Sequence, residues 1–209
     1  MLNIHARDTI SRVLNPLGLR LARAGVTPNV VTVVGTVGTV ASAVWFYPRG
    51  QWFVGSACIT VFVLLDMVDG AVARAGNTVS AFGGILDSSC DRIADAAIFG
   101  ALLWYFAEHG QRWLMLAALL CLILGALTSY IRARAVAAGL SATVGIAERA
   151  ERLIIVLVGT GLTGAPFHVP YLQAVSLWVL VAASSITVGQ RFAAVYRQSR
   201  TPDQASAGA

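Results

Sequence analysis

The sequence predicts an all-α integral membrane protein with six transmembrane helices and an N-terminal interfacial amphipathic helix. Composition is the first indication, because 57% of the 209 residues are hydrophobic and only 12% are charged, against about 25% charged residues in soluble domains. The second is a series of six long apolar stretches separated by glycine, proline or charged residues. The third is an arginine distribution that distinguishes the two ends of those stretches.

The N-terminal segment, residues 1–26, alternates apolar residues with arginines and is interrupted by Pro16. This pattern is typical of a helix that lies in the membrane interface. A soluble N-terminal extension is the alternative. The segment precedes a six-span domain over residues 27–197 and a polar C-terminal tail over residues 198–209, which we expect to be disordered.

The predicted spans follow one another with short connections. The fifth is the weakest of them, because it is short and rich in glycine. The six spans cover residues 29–48, 52–73, 84–107, 111–138, 150–165 and 170–195.

The arginines indicate the orientation. All 15 basic residues are arginine, and with six spans every one except Arg49 and Arg112 falls on the side that holds both termini. Arginine-rich loops stay in the cytoplasm, so we expect both termini on the cytoplasmic side of the plasma membrane. The arginines flank apolar stretches and form no basic tract, which favours membrane lipids over nucleic acid as partners.

Four aspartates interrupt the apolar pattern near the same end of two successive spans. Asp66 and Asp69 are three residues apart, and Asp87 and Asp91 are four apart, so each pair lies on one helical face. One aspartate at the centre of a membrane helix costs about 2.5–3.5 kcal/mol on insertion, so four unpaired ones would cost about 10–14 kcal/mol. A divalent cation that takes oxygen ligands, such as magnesium, manganese or calcium, would neutralise them.

Small residues and one arginine accompany the aspartates. Gly70, Ala73 and Gly83 allow a ligand or a second helix to approach the backbone, and Arg74 is placed to neutralise a phosphate. The alternative is a cation pathway, against which Arg74 counts because it would repel a passing cation. Asp95 continues the row of aspartates by another turn, but it fits an ion pair with a neighbouring arginine equally well and is left out of the site.

Together these residues form the pattern Asp66-x2-Asp69-Gly70-x2-Ala73-Arg74-x8-Gly83-x3-Asp87-x3-Asp91. The pattern resembles, position for position, the signature of the CDP-alcohol phosphotransferases. Within that family the stretches 27–32, 129–135 and 148–153 look most like those of actinobacterial phosphatidylinositol phosphate synthases, although phosphatidylglycerophosphate synthases share parts of them.

The resemblance implies a reaction in which an acceptor hydroxyl attacks the β-phosphate of CDP-diacylglycerol and CMP leaves. It implies Mg²⁺, or Mn²⁺ in its place, bound by all four motif aspartates, with Asp91 also the general base. For that role Asp91 would have to be the carboxylate least engaged by the metal. It implies a homodimer as well, for which Gly125 and Ser129 offer a packing face of small residues. The implied CDP-diacylglycerol-binding residues are Asn29, Val30, Val31, Thr32, Gly70, Arg74 and Ser80.

The acceptor is expected to be anionic. Arg134, Arg152 and Arg191 lie near the cytoplasmic ends of three predicted spans and are predicted to converge on one phosphate, which the resemblance implies is that of 1D-myo-inositol 3-phosphate. Topology alone would also place arginines there. Glycerol 3-phosphate is the alternative acceptor, and a non-enzymatic cation carrier is the alternative of a different class. Substitutes for the three arginines are Arg132, Arg149 and Arg197.

Overall fold

The structure is a computed structural model that describes residues 19–20, 23–66, 68–76 and 80–200. These residues form α-helices joined by short connections and contain no strand, which confirms the all-α prediction. A short 3₁₀ turn, Tyr47–Arg49, follows the first helix. The helices are α1 (Pro28–Phe46), α2 (Trp52–Asp66), α3 (Asp69–Ala75), α4 (Ala81–Glu108), α5 (Arg112–Ala137), α6 (Arg149–Thr163) and α7 (Leu172–Arg200).

Four helical segments of the described chain are long and apolar enough to cross a membrane: Pro28–Arg49, Trp52–Arg74, Arg112–Ala137 and Leu172–Arg200. The protein is therefore a helical membrane protein. The other two predicted spans differ from these four. Helix α4 has 28 residues but carries four charged side chains in its first 15 residues, and α6 has only 15 residues, about 22 Å of helix.

The two predicted terminal segments lie largely outside the described residues. Of the predicted amphipathic helix, residues 1–18, 21 and 22 are not described. At the other end, α7 continues to Arg200 and therefore includes residues 198–200, which the sequence assigned to the tail. Residues 201–209 lie outside the described part of the chain.

The six longer helices form a ring. Each packs mainly against two neighbours, in the order α1, α2, α6, α7, α5, α4 and back to α1. The ring thus joins three pairs of consecutive helices, α1 with α2, α4 with α5, and α6 with α7. Its centre is a contiguous apolar core that includes Ile59, Phe99, Phe106, Leu177 and Leu180, and burial of these large side chains stabilises the ring.

Small residues on α1 bring α2 close. A Cβ atom at Gly38 would overlap the ring of Phe62, and one at Gly35 would lie 3.1 Å from Cβ of Asp66. Close approach through glycine is a common way for membrane helices to pack. As a result, Asp66 lies directly against α1.

The predicted second span, residues 52–73, contains two described helices, α2 and α3. The segment Trp52–Arg74 as a whole is nevertheless long and apolar enough to cross a membrane, as predicted. The carboxylate of Asp69, at the start of α3, accepts hydrogen bonds from the following Gly70 N–H and from Thr32 Oγ1 of α1 at 2.5 Å. The contact to α1 joins residues 37 positions apart, so local sequence does not reveal it.

Candidate metal and substrate site

Three of the four motif aspartates meet at one point. Asp66 ends α2, Asp69 begins α3, and Asp87 lies in the second turn of α4. Each offers a carboxylate oxygen, and these three oxygens lie within 4.8 Å of one another. Asp66 is buried and the other two are half-buried.

This carboxylate cluster (Asp66, Asp69 and Asp87) has no internal counter-charge. Within the described ranges no arginine pairs with any of the three, since all the ion pairs there involve Asp91 or Asp95. In addition, Asp66 Oδ1 is buried and has no hydrogen-bond partner. Ionised carboxylates only accept hydrogen bonds, and three so close together repel one another. The donor set therefore fits a hard divalent cation.

The fourth motif aspartate, Asp91, lies outside the cluster. Its Oδ1 is 2.7 Å from Arg149 Nη1, and its Oδ2 is 3.9 Å from Arg92 Nη2. The structure thus brings together three of the four predicted metal ligands and gives Asp91 arginine neighbours. This separation favours a role for Asp91 that differs from that of the other three.

A small cavity of about 180 Å³ opens beside the cluster, between α1, α3 and the start of α4. It includes four of the predicted nucleotide-binding residues: Asn29, Thr32, Gly70 and Ser80. Ser80 also caps α4, because its Oγ accepts the Gly83 N–H at 3.0 Å. The remaining lining residues are Pro28, Asp69, Ala73, Gly83, Gly84 and Asp87.

The other three predicted nucleotide-binding residues do not line this cavity. Val31 is buried in a small apolar cluster with Val68 and Val72, and the side chain of Val30 is 52% exposed. The guanidinium of Arg74 lies over Gly70, where a Cβ atom would be 3.2 Å from Arg74 Nη1. Arg74 therefore lies next to a lining residue of the cavity, whereas the two valines are not among the lining residues.

A larger cavity of about 930 Å³ lies on the other side of Asp87, between α4, α5, α6 and α7. We call it the arginine cavity, because five guanidinium groups line it. The cavity also contains Asp91, Ser129 and Glu148. The five arginines are Arg92, Arg132, Arg149, Arg152 and Arg191.

The arginine cavity includes two of the three predicted acceptor residues. Arg152 and Arg191 line it, but Arg134 does not and is exposed. The phase of α5 explains the difference. Ile131 and Ala135 are buried and fix which side of the helix faces the bundle, so that Arg132 reaches the cavity and Arg134 points away. Of the proposed substitutes, Arg132 and Arg149 line this cavity, whereas Arg197 lines a different, smaller one.

Sequence reasoning missed Arg92 and set aside Asp95, and the two interact. Asp95 is only 6% exposed and pairs with three arginines of the cavity: Arg92 at 3.4 Å, Arg149 at 3.4 Å and Arg152 at 3.1 Å. Leaving Asp95 out of the metal site therefore agrees with the structure. The spacing of three residues between Arg92 and Asp95 on one helix was the available signal.

The deeper arginines are held by several polar groups. Arg152 Nη1 donates to Thr128 Oγ1 at 3.1 Å, and Arg191 donates to the main-chain carbonyls of Val144 at 3.0 Å and Thr128 at 2.5 Å. Both arginines are buried. Buried guanidinium groups need such partners, and these bonds fix their positions at the cavity wall.

The small-residue pair on α5 also has a different role from the predicted one. Gly125 faces Arg152, whose guanidinium would lie 3.4 Å from a Cβ atom there, and Ser129 Oγ accepts a hydrogen bond from Arg92. Both residues therefore contact arginine side chains of the same chain.

Comparison with known proteins places this architecture in a family. The family model for CDP-alcohol phosphatidyltransferase matches residues 25–188. The chain belongs to the CDP-alcohol phosphatidyltransferase family, and the predicted resemblance is confirmed.

The relatives within that family share one activity. The chain is 45% identical over 200 residues to the phosphatidylinositol phosphate synthase of Mycobacterium marinum, covering 95% of this chain and 86% of that protein. It is 44% identical over 213 residues to the Streptomyces avermitilis enzyme of the same name, covering 99% and 87%.

Two solved structures of such an enzyme have the same fold as this chain. The crystal structure of Mycobacterium tuberculosis phosphatidylinositol phosphate synthase with CDP-DAG bound has a TM-score of 0.84 and 45% identity, covering 88% of this chain and 94% of that one. A crystal structure of that enzyme in complex with manganese and citrate has a TM-score of 0.83 and 44% identity, covering 88% of both chains.

Proposed function

We propose that this protein transfers the phosphatidyl group of CDP-diacylglycerol to 1D-myo-inositol 3-phosphate, forming phosphatidylinositol phosphate and CMP. One observation carries the proposal: the carboxylate cluster lies between a small cavity at the predicted nucleotide site and a large cavity lined by arginines. Asp87 lines both cavities. The names of the relatives, and the CDP-DAG bound to one of them, support the same reaction.

On the donor side, the small cavity receives the CDP group. Asn29, Thr32 and Ser80 supply hydrogen-bonding side chains, and Gly70 leaves the backbone of α3 accessible. Arg74, which lies over Gly70, is placed to contact the pyrophosphate. Val30 and Val31 would contribute through the main chain of the first turn of α1.

Asp66, Asp69 and Asp87 would hold Mg²⁺ or Mn²⁺, with Asp91 within reach of the same substrate from the arginine cavity. When bound, the cation would neutralise charge on the pyrophosphate and on the departing CMP. The manganese in the solved relative supports this assignment.

On the acceptor side, Asp91 is the general base. It lines the arginine cavity, where the acceptor would bind, and it lies outside the carboxylate cluster. Asp91 takes the proton of the acceptor hydroxyl as that oxygen bonds to the β-phosphorus of CDP-diacylglycerol, and the bond from this phosphorus to the oxygen of CMP breaks. The proton stays on Asp91 until solvent removes it.

A phosphorylated acceptor suits the charge of the arginine cavity. Five arginines face Asp87, Asp91 and Glu148 there, so the lining carries a net positive charge. Arg92 Nε is also buried without a hydrogen-bond partner, and an acceptor phosphate would supply one. Free inositol would bring no charge partner.

The ring supports six spans, with both termini and the active site on the cytoplasmic side of the plasma membrane. Helix α4 packs between two apolar spans, α1 and α5, and α6 packs between two others, α2 and α7, so both would lie in the membrane beside them. Arg49 and Arg112 lie at the end of the ring opposite the arginine cavity, as the positive-inside rule requires. We further propose a homodimer, which native mass spectrometry of the detergent-solubilised protein would detect.

The deciding experiment measures CMP release by the purified protein with CDP-diacylglycerol and Mg²⁺, offering inositol 3-phosphate, glycerol 3-phosphate, inositol and serine separately. We expect turnover with inositol 3-phosphate alone. Turnover with glycerol 3-phosphate instead would move the protein to the phosphatidylglycerophosphate branch. No CMP with any acceptor, from protein that still binds CDP-diacylglycerol, would contradict the proposed reaction.

A further inference from the structure

Asp95 is the most heavily paired acidic residue in the described part of the chain, yet the proposed reaction does not use it. It lies on α4, one turn beyond Asp91, and its side chain is almost fully buried. Its two oxygens contact guanidinium groups from two helices: Arg92 of α4, and Arg149 and Arg152 of α6.

Each of these arginines uses only some of its donors on Asp95. Arg152 turns Nη1 to Thr128 Oγ1 of α5, and Arg92 turns Nη1 to Ser129 of the same helix. Arg149 turns Nη1 to Asp91. Asp95 therefore links α4 to α6 through these ion pairs. The three arginines also line the arginine cavity, and two of them donate hydrogen bonds to side chains of α5.

Asp95 also competes with Asp91 for two of the arginines. Arg92 Nη2 is 3.4 Å from Asp95 and 3.9 Å from Asp91, and Arg149 contacts both carboxylates. Without Asp95, the nearest carboxylate for Arg92 would be Asp91. Arg149 already lies 2.7 Å from Asp91 Oδ1, so Arg92 closing on Oδ2 would occupy both oxygens and leave the acceptor phosphate with misplaced partners.

We propose that Asp95 is a positioning residue for the acceptor. It aims Arg92, Arg149 and Arg152 into the arginine cavity and holds Arg92 back from Asp91. This inference rests on the proposed function, because it concerns the acceptor half of the same site.

The test compares Asp95→Asn and Asp95→Glu with the unmodified protein, using KM for each substrate and kcat. For Asp95→Asn we expect KM for inositol 3-phosphate to rise at least about tenfold and kcat to fall severalfold. KM for CDP-diacylglycerol should stay within about twofold. Asp95→Glu keeps the charge, and it should recover a large part of the loss in acceptor KM.

Gln173→Met is the matched control for loss of a buried polar group. Gln173 is buried on α7, far along the helix from Arg191, and donates to Thr160 Oγ1 at 3.5 Å. We expect this variant to melt at a lower temperature with both KM values unchanged. If Asp95→Asn likewise lowered only the melting temperature, Asp95 would be structural and the proposal would be wrong.

A second test measures the binding of inorganic phosphate by calorimetry, without CDP-diacylglycerol. Because this test needs no turnover, it separates the positioning role from the proposed function and can be done even if Asp95→Asn is inactive. We expect weaker binding in Asp95→Asn and near-normal binding in Asp95→Glu. Equal phosphate affinity in folded Asp95→Asn and the unmodified protein would overturn the positioning role, whichever acceptor the enzyme uses. If Asp95→Asn does not fold, Arg92→Lys is the substitute variant, because its shorter side chain weakens the ion pair between Arg92 and Asp95. An unchanged acceptor KM and an unchanged phosphate affinity in Arg92→Lys would then overturn the positioning role.

Discussion

The carboxylate cluster and the arginine cavity share Asp87 but differ in how their charges are balanced. The cluster gathers three carboxylates with no arginine partner in the described part of the chain, and it leaves Asp66 Oδ1 without a hydrogen bond. The arginine cavity instead pairs its deeper guanidinium groups with Asp95, Thr128 and main-chain carbonyls. The first region must obtain its counter-charge from solution, whereas the second is assembled before its ligand arrives.

The largest effect should come from removing the counter-charge that the cluster lacks. Chelation of divalent ions should reduce CMP release by at least about 10³-fold, because several kcal/mol of charge stabilisation is lost. Added Mg²⁺ or Mn²⁺ should restore activity, and added K⁺ should not. Full activity in the presence of excess chelator would show that the cluster works without a metal.

Replacing the proposed base, which lines the arginine cavity, should have the next largest effect. Asp91→Asn removes the proposed base, so we expect kcat to fall about 10²–10⁴-fold. CDP-diacylglycerol binding, measured by displacement of a labelled nucleotide, should change little because Asp91 lies outside the small cavity. Near-normal turnover would end the assignment of Asp91 as base.

Substitution of Arg152 on α6 and of Arg134 on α5 tests which predicted arginine contacts the acceptor. Arg152→Ala removes a charge-assisted contact to the acceptor, worth about 1.5–3 kcal/mol, so KM for inositol 3-phosphate should rise about 10–100-fold. Arg134→Ala should leave both KM values near normal, because Arg134 is exposed outside the cavity. The reverse ranking would restore the original prediction for Arg134 and contradict the orientation of α5.

The smallest effect concerns space in the nucleotide cavity. A Cβ atom at Gly83 would lie 3.2 Å from Ser80 Oγ and 3.5 Å from Asn29 Oδ1, so Gly83→Ala should raise KM for CDP-diacylglycerol about two- to fivefold. Gly100→Ala, on the same helix with no atom within 4 Å, should leave that KM unchanged. Both substitutions favour the helix, so a stability gain without a KM change at Gly83 would show that the space is not needed.

Much of the fold could be predicted from the sequence, because the length of each apolar stretch and the arginines at its ends indicate a membrane helix without knowledge of distant contacts. The predicted span 111–138 matches α5 (Arg112–Ala137), and 150–165 is close to α6 (Arg149–Thr163). The contact from Thr32 of α1 to Asp69 of α3 could not be predicted, since it joins residues 37 positions apart. Local periodicity carries no information about such a contact.

The site shows the same division. Motif spacing identified Asp66, Asp69 and Asp87, and the structure brings them together. Motif spacing did not distinguish Asp91 from these three, because the distinction depends on the ion pair between Asp91 and Arg149, which lies on another helix. The choice between Arg132 and Arg134 could not be made from the sequence for a related reason: residues two apart on a helix differ by about 200° in direction, and only packing determines which one faces the cavity.

The position of Asp87 has a consequence for inhibitor design. Since a single side chain borders both cavities, the two ligands would be separated by little more than the width of one carboxylate. A short covalent tether between a cytidine diphosphate group and a phosphorylated cyclitol could then span both chambers. Such a bivalent compound would gain affinity from effective concentration over either half alone, and a longer tether would lose that advantage.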